Sequence, residues 1–179
     1  PAREVIDPTR LAVDPVGEST AKAFIVAHHY SGTYPAARVR VGLFRGRELV
    51  GVAVFAEPAQ RRIVPRYAPG AVDGVVLARF VLLDEVEANG ETWFLARAFR
   101  ALDGIDAVVS YSDPVRRAAL DGRIVLPGHV GTIYQAHNAR YLGRSKAELH
   151  HLGPEGQVVS RRALSKIRND ERGAGYAER

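Results

Sequence analysis

A chain of 179 residues, 46% apolar and 25% charged, suits a single soluble globular domain with a sizeable core. It holds no cysteine, which excludes disulfides, thiolate metal sites and cysteine nucleophiles, so any metal would rest on His, Asp, Glu or Tyr. The net charge is +5 with a pI near 9.8, carried almost wholly by arginine. That bias fits either a polyanionic partner gripped by forked guanidinium contacts or a genome rich in Arg codons.

Pro8 and Pro15 bracket an extended start. Ser19 or Thr20 can cap a helix running to about His29, with Ala23, Phe24 and Ala27 on one face, and Ser31-Gly32 stops it. Arg38 to Phe44 alternates basic and apolar residues as a half-exposed strand does. Arg45-Gly46-Arg47 turns the chain into a returning strand, Leu49 to Phe55. Residues 57–74, rich in Pro and Gly, form a long loop of the kind that often serves function, and it carries Arg61, Arg62 and Arg66. Val75 to Leu83 is a third strand. Asn89-Gly90-Glu91-Thr92 starts a helix through about Leu102, and Ala107 to Tyr111 is the next strand. Residues 114–127 form an irregular, partly basic insert, followed by a helix from about Val130 to Asn138. A hairpin from Tyr141 to Ser160 and a basic tail helix beginning near residue 161 close the chain. This order predicts one domain over residues 1–179, a mixed sheet covered by helices.

No apolar run reaches membrane-spanning length and the start does not read as a signal peptide. A cytoplasmic location with no membrane partner is therefore expected, and the start at Pro1 suits removal of an initiator Met. Strand edges and a positive surface would permit a homodimer.

The densest chemistry lies in Ser110-Tyr-Ser-Asp113 and Gly128-His-Val-Gly-Thr-Ile-Tyr-Gln135. Gly128 and Gly131 open a helix, and unpaired N–H groups at such a start attract anions. Tyr134 lies one turn in, beside His129, where a helix start could lower its pKa. Asp113 ends a buried strand, as a reacting carboxylate or as the turn starter of Asp113-Pro114. The second helix start, at Asn89, Gly90 and Thr92, is another candidate for a phosphate or acyl group. His28 and His29 close the first helix, and Tyr30 follows them. Adjacent helix residues face different ways, so one of the two histidines points inward. Arg38, Arg40, Arg61, Arg62 and Arg66 are candidate phosphate contacts.

The succession of elements resembles the GNAT acyltransferase fold. Taken together in order, His28-His29-Tyr30-Ser31-Gly32, Ser110-Tyr111-Ser112-Asp113-Pro114 and the Gly128 to Gln135 motif resemble the phage Mom family of DNA modification proteins over roughly residues 20–165. That resemblance implies transfer of a carbamoylmethyl group to N6 of adenine in phage DNA, shielding it from host restriction enzymes. It implies double-stranded DNA and a small-molecule group donor as partners. It places the family's catalytic histidine and tyrosine on His29 and Tyr30, its aspartate on Asp113 and its second tyrosine on Tyr134. The roles implied are His29 and Asp113 for metal or proton handling, Tyr30 for positioning and Tyr134 as general acid. Iron dependence and an acyl-CoA pocket have been proposed for the family. Here His29, Asp113 and His129 would suit a two-His-one-carboxylate iron site, while Asn89, Gly90, Thr92 and Gly131 would face the acyl donor. One aromatic, Tyr30 or Tyr34, could stack on a flipped adenine.

Two departures stand out. The family joins its Ser-x-x-Asp strand to Gly-His-x-Gly by a few residues, whereas Val115 to Pro127 intervene here. The acetyl-CoA loop of GNAT enzymes, Gln/Arg-x-x-Gly-x-Gly/Ala, corresponds to Glu87-Ala-Asn-Gly90-Glu-Thr92, a poor match whose carboxylates would repel a phosphate. The alternatives are an acetyl-CoA-dependent GNAT N-acetyltransferase acting on a protein or small-molecule amine, and a DNA-binding protein without catalysis.

Overall fold

The computed structural model describes residues 4–147, 149–159 and 161–169. Its centre is a five-stranded sheet in the order β1 (Leu11–Pro15), β2 (Ala37–Arg45), β3 (Glu48–Ala56), β4 (Gly74–Leu82), β5 (Ala107–Ser110). The first four strands are antiparallel neighbours, and β5 lies parallel to β4. The mixed α/β expectation, with a mostly antiparallel sheet flanked by helices, therefore holds.

β3 is central and buried along nearly its whole length, which is why Val50 to Ala56 is continuously apolar or small rather than alternating. Helix α1 (Glu18–His28) sets Ala21, Phe24 and Ile25 against Val52, Val54 and Val81 on one face. Helix α3 (Gly90–Arg100) sets Phe94, Leu95 and Ala98 against Val41, Leu43, Phe55 and Leu77 on the other. A short helix α2 (Ile63–Tyr67) interrupts the predicted 57–74 loop. Helix α1 starts at Glu18, one residue before Ser19, with Gly17 as its N-cap and no side-chain cap.

A bulge in β4 positions the site. Val54 and Phe55 of β3 pair with Arg79 and Leu77, so Ala78 is an extra residue. Before it, Val75 and Leu77 face the α3 side; after it, Phe80 and Leu82 face that side while Val81 faces α1. The inserted residue shifts the alternation and puts Arg79 on the α1 side, where it meets the loop after that helix. β5 pairs with only the first four residues of β4, Gly74 to Leu77. The rest of β4 runs on past the end of β5.

The chain divides into two compact units. One comprises Pro1–Ser112 with Gly131–Leu142, the other Asp113–Val130 with Gly143–Arg179. The second unit contains the hairpin β6 (Arg117–Ala118) and β7 (Ile124–Leu126), the hairpin β8 (His151–Leu152) and β9 (Val158–Val159), and helix α5 (Arg161–Arg168). The predicted irregular insert is thus a β-hairpin. The backbone N–H of Leu120 donates to Pro154 O at 2.9 Å, tying the two hairpins together. The predicted helix from Val130 to Asn138 shrinks to α4 (Thr132–Gln135) with turns after it. Among the described residues no helix is long and apolar enough to cross a membrane.

Candidate active site

Within the first unit, the loop after α1, the middle of β4, the end of β5 and α4 bring together His29, Tyr30, Ser31, Thr33, Arg79, Tyr111 and Tyr134. Arg79 Nε donates to Thr33 O at 3.0 Å and Nη2 to Thr33 Oγ1 at 2.7 Å. The Thr33 hydroxyl donates to Ser31 Oγ at 3.3 Å, and Ser31 Oγ lies 2.8 Å from His29 Nδ1. The His29 and Tyr30 rings sit 4.2 Å apart, centroid to centroid. Tyr30 is near enough to both Arg79 and Tyr134 to act on them electrostatically.

Arg79 is half-buried, and among the described residues no carboxylate neutralises it. Burial pulls its pKa below the usual arginine range, with Tyr30 opposing the shift. The group stays a cation, and a partly desolvated cation without a counter-ion suits an anionic reactant. The sequence reading overlooked this residue. Its signal was available: Arg79 is the lone charge in the strand Gly-Val-Val-Leu-Ala-Arg-Phe-Val-Leu.

Tyr134 packs partly against the α3-side core. Burial raises its pKa above the ordinary value of 10.0, and Tyr30 adds to the rise. The lowering expected of a helix start does not occur, because α4 is four residues long and desolvation of the phenolate dominates. The phenol is neutral at physiological pH and holds a proton to give. Its O–H reaches Tyr111 O at 3.5 Å, a long contact that leaves the proton weakly committed. Tyr111 is half-exposed at the end of β5, its own pKa raised by burial and by Tyr67.

The glycines serve packing. Gly131 adopts a φ of +73°, and a Cβ there would lie 2.7 Å from the Tyr134 ring. The N–H groups of Tyr134 and Gln135 both donate to Gly131 O, so these two are used by the turn itself. Gly128, at φ +83°, has room for a Cβ only at 2.5 Å from Pro114 O. At the α3 start Gly90 packs against Val86 and Leu82, and its N–H donates to Glu87 O at 3.2 Å. Asn89 is left-handed at φ +72°, and the Thr92 hydroxyl donates to Asn89 O at 3.1 Å. Glu87 adds a carboxylate there, paired with Arg45 at 2.9 Å. Asn89, Gly90, Thr92 and Gly131 are thus engaged in local structure.

Asp113 opens the second unit. Its Oδ2 receives Arg117 Nη2 at 2.8 Å and its Oδ1 the Val115 N–H at 3.1 Å, the turn-starting arrangement. The His129 N–H donates to Asp113 O at 2.8 Å, a backbone contact that leaves the imidazole uninvolved. Among the described residues no group of three or more His, Asp or Glu could hold a metal ion. His29 Nδ1 accepts the Ser31 backbone N–H at 3.1 Å, so in the neutral ring the proton sits on Nε2 and neither nitrogen offers a free lone pair.

The arginine set splits. Arg38 forms a bidentate pair with Asp73 and a second ion pair with Glu57 at 3.5 Å. The Arg38 guanidinium holds the Asp73 carboxyl below the usual range. Arg40 turns to the carbonyls of Val16 and Ala37. Arg61, Arg62 and Arg66 are exposed, Arg66 lying over the Tyr67 ring at 5.4 Å. Tyr34 packs against the α1-side cluster, and Trp93 carries the Arg97 guanidinium 3.5 Å above its ring.

Compared with known families, the chain matches the Mom protein family over residues 10–178, nearly its entire length. The chain belongs to the Mom family. No curated protein sequence matches it. Membership points to a DNA-modifying enzyme of phage type with DNA as its substrate.

Proposed function

We propose that this Mom-family protein transfers a carbamoylmethyl-type group to N6 of adenine in phage DNA, in the host cytoplasm, and so protects that DNA from restriction. The observation that carries the reading is the half-buried Arg79, hydrogen-bonded to Thr33 and through it linked to Ser31 and His29, on the stretch of β4 that runs past the end of β5, with the Tyr134 hydroxyl reaching Tyr111 O at that strand end, where open sheets bind ligands. The antiparallel run ending in a parallel β4–β5 pair supports a GNAT-like arrangement.

In the transfer, N6 forms a bond to the donor carbon while that carbon's bond to its leaving group breaks. N6 loses one proton and the leaving group gains one. Tyr134, neutral and weakly committed, supplies the latter, and the phenolate it leaves takes up the proton lost by N6, which restores the phenol. Arg79 binds the negative charge of the donor or of the departing group. Tyr30, exposed, offers a face to an extruded adenine. No step runs through a metal. Exposed cations, Arg61, Arg62 and Arg66 among them, contact phosphates. An acetyl-CoA-dependent N-acetyltransferase is the weaker reading, since the α3 start is filled by its own contacts and faced by Glu87.

Expression in bacteria followed by mass spectrometry of plasmid nucleosides, beside an Arg79→Gln control, tests this. A new adenosine species that disappears in the control is expected, its mass increment identifying the group. Acetylated protein or amine with unmodified DNA would overturn the reading.

A further inference from the structure

We infer that His29 serves the reaction as a hydrogen-bond donor through Nε2–H, and that Ser31, Thr33 and Arg79 are the positioning residues that fix this tautomer. Two groups approach Nδ1 from Ser31. The backbone N–H, 3.1 Å away, can only donate, so Nδ1 must be its acceptor. The Ser31 hydroxyl, 2.8 Å away, then donates to the same nitrogen. Its own oxygen is covered by donors on the other side, the Thr33 N–H at 3.4 Å and the Thr33 hydroxyl at 3.3 Å. Thr33 Oγ1 in turn accepts Arg79 Nη2 at 2.7 Å. Every proton along Arg79, Thr33, Ser31 and His29 therefore points the same way. The direction is set at its origin by a guanidinium, which has donors and no acceptor. Such chains polarise one another in a partly buried setting.

The bulge at Ala78 is what turns Arg79 to the α1 side, and the stop after α1 is what brings Ser31 back onto the His29 ring. The ligand chemistry that follows is an acceptor: a ring nitrogen of the base or an oxygen of the donor. A metal cation is not such a partner, because the Nε2 lone pair is taken by the proton.

The catalytic part of this inference rests on the proposed DNA modification; the tautomer does not. The first experiment is nitrogen-15 NMR of the full chain labelled at histidine, the His29 signals identified by their loss in His29→Gln. Protonated Nε2 with unprotonated Nδ1 is expected at neutral ring charge. Protonated Nδ1 would overturn the inference whatever the protein's activity. Stoichiometric Zn2+, used as a diamagnetic probe, is expected to leave the His29 signals in place, and a selective shift would equally overturn it. The second experiment is nucleoside modification by Ser31→Ala and Ser31→Thr. Ser31→Ala is expected to lower kcat about tenfold with KM for DNA little changed, and Ser31→Thr to restore most of it. Full activity in Ser31→Ala would remove Ser31 from the positioning role. Absence of modification by the parent chain would count against the proposed function alone.

Discussion

In the first unit Ile25, Leu43, Val50, Phe55, Phe94 and Leu95 are fully enclosed, whereas the second unit's enclosed apolar side chains, among its described residues, are Ala119, Leu126 and Ala163. The first unit gains its stability from area removed from water on both faces of a sheet. The second is stitched by polar contacts: Arg117 to Asp113, Arg123 to Glu155 at 2.6 Å, and Gly156 close against Ala118 O. Charge divides along the same line. The second unit's described carboxylates, Asp113, Asp121 and Glu155, are met by its own arginines, while exposed Arg116, Arg144, Lys146, Arg162 and Arg168 form no ion pair among the described residues. The reaction centre lies in the well-packed unit, and the second unit adds these exposed cations to Arg61, Arg62 and Arg66 of the first for a grip on phosphate.

Truncating the core separates the two most strongly. Phe94 is enclosed and stacks on Phe80 at 5.5 Å. Phe94→Ala should cost about 3–5 kcal/mol, read as a lower urea midpoint for the sheet unit. Leu126→Ala should cost about 2–3 kcal/mol, with hydrogen exchange accelerated only in residues of the second unit. Acceleration through β3 and β4 as well would show that the units unfold together.

The next effect is chemical. Tyr134→Phe keeps the packing over Gly131 and removes the proton donor, so modification should fall about 10²-fold, about 2.7 kcal/mol of barrier, with the fold intact. The sign with pH follows from the raised pKa. The working form is the neutral phenol, so activity should persist through pH 10.0 and fail only above it. The stabilising contribution likewise is complete below the unfolded tyrosine value and is lost as pH rises through the folded one. An alkaline limb that persists unchanged in Tyr134→Phe, or a Tyr134→Phe variant as active as the parent, would refute the general-acid assignment.

The sheet was legible because β2, β3, β4, α1 and α3 each bury a strong apolar pattern between clear turns. Two things were hidden. Bulges cannot be read from hydrophobicity, since Ala78 looks like any other small residue in Val-Leu-Ala-Arg-Phe; without it Arg79 would be assigned to the α3 side. The packing demands on the glycines were hidden for a related reason. Gly128, Gly131 and Gly90 look like an anion cradle, and each also allows close approach, of Pro114 O, the Tyr134 ring and Val86 respectively. The motif residues His29, Tyr30 and Tyr134 were visible, and the first unit brings Tyr30 near Tyr134. Asp113 was visible too, but its engagement by Arg117, four residues on, needed the turn to be seen.

The smallest effect concerns the cations, and it tests the charge division directly. Arg38 and Arg40 looked equal to the others in sequence, yet Asp73, Glu57 and backbone carbonyls occupy them. Arg144→Gln, Arg162→Gln and Arg168→Gln together should weaken duplex binding about tenfold in moderate salt. The slope of log affinity against log salt should become shallower by about 0.9 for each phosphate no longer neutralised. Modification at saturating DNA should keep its rate, because none of the three is assigned a part in the transfer. Arg38→Gln should leave the slope unchanged and act instead on stability, since it strands Asp73. If Arg38→Gln flattens the salt dependence and the triple variant does not, the grip on DNA belongs to the sheet unit, and the second unit's positive charge serves something other than DNA.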